Sequence, residues 1–283
     1  MHGFEKASNS QVGVFRSVLI CHQGYPFDQE GLSRWLASIS SLAGVVLLEE
    51  GVQRGLQRVR RELRRSGLAG FLDVAAFRLF YRLFLAARDR AWEAEAVESM
   101  KRRFGPVPET ARVLRATSPN APEVIDFLRE CRPDFMVARC KTLLKPEVFR
   151  IPTGGTYVLH PGICPEYRNA HGCFWALAQG DLERVGLTLL RIDEGVDTGP
   201  VYGYFAYPYD ERRESHVVIQ LRVLRENLDA VGARLLEAVA GTAAPVPVDG
   251  RESRTWGQPW LTAYLRWKAR ARRGARKGDV VRA

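Results

Sequence analysis

The sequence predicts an α/β protein with a Rossmann-like, mostly parallel sheet, helices on both faces of that sheet, and a helical insertion. Two observations support this fold class: short apolar runs alternate with stretches of helical spacing, and the alternation stops between residues 50 and 105. Strands that alternate with helices are typical of parallel sheets, because each crossover needs a helix. The 283 residues are enough for one large domain or for one domain with an appendage.

The first strand is predicted at residues 17–21, an apolar run that ends close to Gly24. Residues 29–42 have the apolar spacing of a helix, and the run 44–48 predicts a second strand. Short apolar runs bounded by turn residues are typical of buried strands. These three elements give the β-α-β order that begins the sheet.

Residues 50–105 show no strand pattern and are predicted to form the helical insertion. Phe77, Phe80 and Phe84 recur at helical spacing, and Arg78 and Arg82 fall on one helix face. Two interpretations stay open. The insertion is either a helical pair that packs on the core, or an element that contacts a membrane surface or forms a dimer.

After residue 105 the α/β alternation resumes. Helices are predicted at 121–131, 169–179 and 215–239, the last with Ser215 as its N-cap. Strands are predicted at 134–138, 156–160, 186–192 and 201–207. We therefore expect an α/β domain over 1–241 and a C-terminal extension over 242–283, with a basic, flexible tail.

The net charge of +10 is concentrated in two runs. Residues 54–65 hold six arginines and one glutamate, and residues 266–282 hold six arginines, two lysines and one aspartate. The two runs together exceed the net charge, so the rest of the chain is close to neutral. A basic segment and a basic tail, rather than a basic body, would meet any anionic partner.

The five cysteines form no C-x-x-C pair and are odd in number. This pattern argues against a disulfide framework and against a structural zinc site, so we expect no metal. The N-terminal residues lack the apolar stretch of a secretory signal, and no apolar run is long enough to cross a bilayer. These features predict a cytoplasmic protein.

Two polar side chains follow predicted strands. His160 closes the strand at 156–160, and Asp197 lies in a loop with Gly195 and Gly199. Ligands of open α/β sheets bind at the carboxyl ends of strands, and a histidine near a carboxylate is an acid/base unit. From this pattern alone, a purely structural histidine is the more frequent case.

Residues 133–200 resemble the folate-dependent formyltransferase family, which includes methionyl-tRNA, phosphoribosylglycinamide and sugar N-formyltransferases. The resemblance covers about a quarter of the chain. It rests on the order and spacing of six pieces: Pro133-Asp134-Phe-Met-Val, His160-Pro-Gly-Ile-Cys-Pro165, Tyr167-Arg168, Ala176-Leu-Ala-Gln-Gly180-Asp181, Gly186-Leu-Thr-Leu and Asp193-Glu-Gly-Val-Asp197-Thr-Gly-Pro200.

The resemblance implies transfer of a formyl group from 10-formyltetrahydrofolate to an amine. His160 and Asp197 match the catalytic histidine and aspartate of the family. The residues that match its pterin-holding loop are Ile192, Asp193, Glu194, Gly195 and Val196. In this chemistry the histidine stabilises the oxyanion of the tetrahedral intermediate, and the aspartate relays the proton of the amine.

One residue departs from the family pattern. Val158 stands where the family has an asparagine that helps to hold the oxyanion, and valine has no donor. Losing one such donor typically costs about 10²–10³ in rate. Asn169 or His171 could substitute, the reaction could differ, or catalysis could be lost. Arg168 and its neighbour Glu166 are expected at the mouth of the cleft, either solvated or in contact with substrate.

We expect the acceptor to be a small amine, such as a nucleotide-linked amino sugar. About 42 residues follow residue 241, which is short for the oligonucleotide-binding barrel of tRNA-formylating relatives, so tRNA is not favoured. Two alternatives remain: a catalytically impaired homologue that binds folate or a metabolite, and a protein that binds nucleic acid or an anionic surface through its basic runs. A weak membrane contact through 54–90 and a homo-oligomer also stay open.

Overall fold

The computed structural model describes residues 15–49 and 52–280, in two compact units. The first unit comprises Met1–Glu49 and Val97–Thr156, and the second comprises Glu50–Ala96 and Tyr157–Ala283. Most of the insertion therefore belongs to the same unit as His160 and Asp197.

The strands of the first unit are parallel and lie in the order β3-β2-β1-β4. Those of the second unit are antiparallel and lie in the order β5-β7-β8. The strand bounds are β1 Arg16–His22, β2 Ser41–Leu48, β3 Arg112–Ala116, β4 Phe135–Arg139, β5 Thr156–His160, β6 Arg168–Asn169, β7 Leu187–Arg191, β8 Val201–Phe205 and β9 Thr255–Trp256. The seven principal strands form a mixed, mostly parallel arrangement, and the predicted α/β class is confirmed.

Helices surround these strands. Their bounds are α1 Ser33–Ile39, α2 Val52–Phe84, α3 Ala86–Phe104, α4 Pro122–Cys131, α5 Pro146–Phe149, α6 Gly172–Gln179, α7 His216–Glu226, α8 Leu228–Val239 and α9 Leu261–Val280. The insertion is helical, as predicted. Its first helix has a kink at Gly67, where φ is 67° and ψ is −179°, a conformation that essentially only glycine adopts.

The buried strands are those with a clear apolar pattern. In β1 and β2 every residue after the first is buried, as expected of central strands covered on both faces. Strand β3 was not predicted, because it lies at the end of the strand order and exposes most of its side chains. Val113 in β3 is 60% exposed, and arginines flank its apolar residues.

Two predicted helices differ from the structure. The segment predicted as a helix over 29–42 is a π-helical turn at Phe27–Leu32 followed by α1, and its last two residues belong to β2. The helix predicted over 215–239 is divided at Asn227, whose side-chain amide donates to the carbonyls of Ala206 and Val223. The prediction that Ser215 is the N-cap is confirmed, because its hydroxyl accepts a hydrogen bond from the backbone N–H of Val218.

The insertion and the C-terminal helix pack together in the core of the second unit. Phe77 of α2 contacts the rings of Phe174, His216 and Tyr264. Trp267 of α9 is completely buried. The structure gives this region a helix through Val280, residues 281–283 lie outside the described ones, and the flexibility of the tail stays a prediction.

No helix within 15–49 and 52–280 combines the length and the apolar character needed to cross a membrane. The five cysteines are all free thiols.

Candidate active site

The structure brings His160 and Asp197 together. The Nδ1 atom of His160 lies 3.4 Å from Oδ2 of Asp197, and both side chains are largely buried. The same Oδ2 accepts the backbone N–H of Asn169 at 2.7 Å. The two residues singled out in the sequence thus form one contact, with the carboxylate oriented by a main-chain donor.

This contact requires the loop after β7 to fold back along the sheet. Strands β5 and β7 are antiparallel, so His160 pairs with Thr188 while Arg191, at the end of β7, pairs with Tyr157. The loop therefore begins at the opposite end of the strand pair from His160. A Cβ at Gly199 would lie 1.9 Å from the carbonyl oxygen of Arg191, so only glycine permits this return.

Strand β6 holds the returning loop in place. The Nη1 atom of Arg168 donates to the carbonyl of Val196 at 2.8 Å, and the backbone of Asn169 binds Asp197. Asn169 has a φ of 76°, a left-handed conformation that asparagine tolerates. Arg168 was expected to be solvated or in contact with substrate, and the structure shows that its guanidinium binds the loop.

The other ring nitrogen of His160 faces the main chain. Its Nε2 lies 2.7 Å from the carbonyl oxygen of Tyr167. Because a carbonyl oxygen only accepts, Nε2 must carry the hydrogen, and Nδ1 of a neutral ring is then an acceptor. A proton placed between Nδ1 of His160 and Oδ2 of Asp197 would make the contact between these two atoms favourable. The pair can therefore hold a proton at this position.

Two glycines allow the Tyr167 carbonyl to reach the ring. A Cβ at Gly162 would lie 2.7 Å from the Tyr167 oxygen and 2.8 Å from Cα of Gly172. Contacts this short are not available to other residues, so the loop after β5 and the start of α6 approach each other through glycine alone. The tautomer of His160 is therefore set by backbone packing.

Val158 is half-buried and packs against a mostly apolar cluster. It packs with Cys164, Leu190 and Val201, and the cluster also includes Tyr204, Val246 and Val248. Val246 belongs to the C-terminal extension and donates its N–H to the carbonyl of Val201 at 2.7 Å. The position of the family's asparagine thus packs against the same cluster as a segment from the far end of the chain.

That segment, residues 246–256, is here named the strap. Arg251 binds both carboxylate oxygens of Glu166, at 2.9 and 2.7 Å, and also contacts the hydroxyl of Tyr204. Strand β9, at the end of the strap, pairs in parallel with β6. The strap therefore fastens to the loop that follows His160, and Glu166 is engaged by the strap instead of solvated.

The rings of Tyr167 and Trp175 hold the end of the strap by stacking on Trp256, with centroids 5.6 and 4.9 Å away. The indole N–H of Trp256 donates to the carbonyl of Glu166. Sequence reasoning missed this element, because partners separated by some 80 to 90 positions leave no local pattern.

The two predicted substitute donors have different surroundings. Asn169 reaches the pair through its backbone, while its side-chain amide donates to the carbonyl of Trp256. His171 is the N-cap residue of α6, with a φ of 56°, and its ring lies 6.0 Å from the ring of buried His216. Neither donor role is tested by these contacts.

The predicted pterin loop is braced from within. The carboxylate of Asp193 accepts the N–H of Gly195 at 2.9 Å and the hydroxyl of Thr198 at 2.7 Å. A Cβ at Gly195 would lie 2.0 Å from that hydroxyl. Glu194 and Gly195 are exposed at the tip of the loop. A braced loop with a glycine at its exposed tip suits close approach by a flat heterocycle.

A cysteine nucleophile and a metal site have less support among the described residues. Burial raises the pKa of the Cys164 thiol, which suits a small core residue and not a nucleophile. Within the described ranges, no three His, Cys, Asp or Glu side chains are grouped so that they could bind a metal ion.

Fold and site together define an α/β protein with a buried His–Asp pair beside a braced loop. A family model described as Formyl transferase matches residues 86–231, just over half of the chain, and includes both residues of the pair. The chain belongs to the formyl transferase family, as the sequence resemblance predicted.

The curated relatives include proteins named methionyl-tRNA formyltransferase, of which two are described here. The protein of Kosmotoga olearia is 34% identical over 137 residues, 46% of this chain and 42% of the relative. That of Salinispora tropica is 36% identical over 146 residues, 49% and 45% of the two chains. The matches thus span less than half the length of these relatives.

Solved structures share the fold at low identity. A sugar N-formyltransferase from a Shewanella species has a TM-score of 0.50 at 11% identity, covering 90% of this chain and 87% of its own. Phosphoribosylglycinamide formyltransferase from Anaplasma phagocytophilum has a TM-score of 0.50 at 15% identity, covering 87% and 99%. These similarities support the fold alone.

Proposed function

We propose that the protein transfers a formyl group from 10-formyltetrahydrofolate to the amine of a small molecule, with His160 and Asp197 as the catalytic residues. The observation that carries this proposal is the contact between His160 Nδ1 and Asp197 Oδ2 within the segment that matches the family. A histidine with an oriented carboxylate is suited to moving a proton in acyl transfer.

The bound donor would supply an activated formyl carbon, and the loop that we expect to hold its pterin is 192–197. The protein's own part is proton transfer. His160 donates at Nε2 to a fixed carbonyl, so Nδ1 and the Asp197 carboxylate share the position for the mobile proton. Since Asp197 uses Oδ2 for Asn169 and His160, we assign Oδ1 as the acceptor for the proton of the attacking amine. The amine nitrogen would bond to the formyl carbon, the bond from that carbon to N10 of the donor would break, and the proton would pass to N10 as tetrahydrofolate leaves.

The acceptor is proposed to be an amino sugar carried on a nucleotide. The experiment is a panel assay: purified protein, 10-formyltetrahydrofolate, and in separate reactions a nucleotide-linked amino sugar, glycinamide ribonucleotide and methionyl-tRNA, each analysed by mass spectrometry for the added formyl group. Formylation of the sugar supports the proposal. Formylation only of methionyl-tRNA would support formyl transfer but would contradict the proposed amino-sugar acceptor.

A second function, binding without turnover, is favoured by one observation. Val158 has no donor, and the strap residues Val246 and Val248 cover the cluster in which it lies. Calorimetry with 5-formyltetrahydrofolate distinguishes the two functions when it is combined with the panel. Saturable binding without formylation of any amine would favour the binding protein, and a flat titration with folded protein would contradict both.

A further inference from the structure

The second half of helix α2 has two apolar faces. One face is buried: Val74 and Phe77 lie in the core, and Phe77 and Phe80 contact Tyr264 of α9. The other face carries four leucines that are 57% to 68% exposed: Leu68, Leu72, Leu79 and Leu83. We name these four residues the leucine stripe.

The stripe is opposite the core and not an extension of it. At about 100° per residue, the four leucines fall within about 60° of one another and roughly 180° from Val74 and Phe77. A surface helix normally places polar residues there. Contiguous exposed apolar surface of this kind marks an interaction site.

Arginines border the stripe. Arg78 and Arg82 of α2 are both exposed, and they lie on one side of the four leucines. The acidic residue of this stretch, Asp73, is engaged by the N–H and the hydroxyl of Thr262 at the start of α9. The charge beside the stripe is therefore positive.

Helix α9 adds more positive charge beside α2. Thr262 of α9 contacts Asp73, and Glu62 and Ser66, nearer the N-terminus of α2, line one cavity with Arg266. Two residues after Thr262, Tyr264 contacts Phe77 and Phe80, so α9 packs against the face of α2 that lies away from the leucine stripe. Three arginines of α9 are exposed along it: Arg266, Arg272 and Arg273.

We propose that the leucine stripe and the bordering Arg78 and Arg82 dock the protein on an anionic lipid surface. Leucines beside arginines match the interfacial region, where apolar side chains enter the acyl boundary and cations meet acidic headgroups. A second copy would bring arginines against arginines, which like-charge repulsion opposes. Nucleic acid would use the arginines but would leave four leucines in water.

The first test is sedimentation with vesicles of phosphatidylglycerol and phosphatidylcholine in equal parts, at low salt. Leu72→Glu/Leu79→Glu should weaken binding by about tenfold or more, because it places charge in the acyl boundary. The matched control is Leu143→Glu/Leu182→Glu, which changes two exposed leucines elsewhere, 61% and 43% exposed, and should bind as the wild type does.

The second test separates charge from apolar contact. Arg78→Gln/Arg82→Gln should weaken binding by about thirtyfold, because each of the two basic residues near the surface contributes about 1 kcal/mol. The control Arg102→Gln/Arg129→Gln removes the same charge from α3 and α4 and should have little effect. Vesicles of phosphatidylcholine alone should bind the wild type weakly.

Three results would overturn the proposal. Vesicle binding that Leu72→Glu/Leu79→Glu leaves unchanged would exclude the stripe. Absence of vesicle binding, with a dimer that the same variant converts to monomer in ultracentrifugation, would assign the stripe to a second copy. Tight, salt-sensitive binding to duplex DNA without vesicle binding would assign the arginines to nucleic acid.

Discussion

At the residue scale, the site depends on how three backbone groups constrain three side chains. The Tyr167 carbonyl fixes the hydrogen of His160 on Nε2, the Asn169 N–H orients Asp197, and the Val196 carbonyl accepts Arg168. His160 and Asp197 could be predicted from their resemblance to the family. Arg168 could not be assigned its role, because a solvated arginine and a loop-holding arginine look the same in sequence.

The surroundings of Val158 determine what an asparagine at this position should do. Val158→Asn would place an amide among apolar side chains of Cys164, Leu190 and Val201. Since Val158 is only half-buried, the amide should lower the free energy of unfolding by about 1 kcal/mol, and the rate of formyl transfer should not rise. Urea unfolding and the formylation assay check the two parts. A rate increase of about tenfold or more would show that the asparagine site is still usable.

At the scale of elements, the predicted and missed segments differ in where their partners lie. Strands β1, β2, β4 and β5 could be predicted because their burial follows from a local apolar run. Strand β9 and the strap could not, because their partners are far away in sequence. The rule that ligands bind at the carboxyl ends of strands indicated His160 and Asp197. Their contact, however, depends on the loop that folds back from β7.

The strap gives a prediction at this scale. Arg251→Ala removes two charge-assisted bonds to a mostly buried Glu166, so it should lower the free energy of unfolding by about 1–3 kcal/mol and expose the strap to proteolysis. Arg254→Ala is the matched control, since Arg254 pairs with an exposed Glu252 and should change stability by less than about 0.5 kcal/mol. Equal proteolysis of both variants would show that the Arg251–Glu166 contact does not hold the strap in place.

At the scale of the whole molecule, stability should depend on pH through His216. This histidine is buried among aromatic rings, and burial lowers its pKa well below the ordinary value of 6.5, with His171 and Lys268 adding like charge. The unfolded chain therefore binds a proton that the folded chain does not. The free energy of unfolding should therefore decrease as the pH falls below 6.5, by up to about 1.4 kcal/mol per pH unit.

His216→Phe removes this titration and should flatten the pH dependence between pH 7 and 5. Asp89, near Ser215, gives the opposite slope, since burial raises its pKa. Tryptophan fluorescence during urea unfolding suits the measurement, because five of the six tryptophans lie in the second unit. An unchanged slope in His216→Phe would assign the pH dependence to other groups.

The central claim is that His160 and Asp197 act together in formyl transfer, and single variants assayed on the acceptor found in the panel test it most directly. With folding checked by circular dichroism, His160→Ala and Asp197→Asn should each lower the rate by about 10²–10⁴. Asp229→Asn, an exposed aspartate on α8, should retain the wild-type rate. Full activity in His160→Ala would contradict the mechanism, whatever the acceptor.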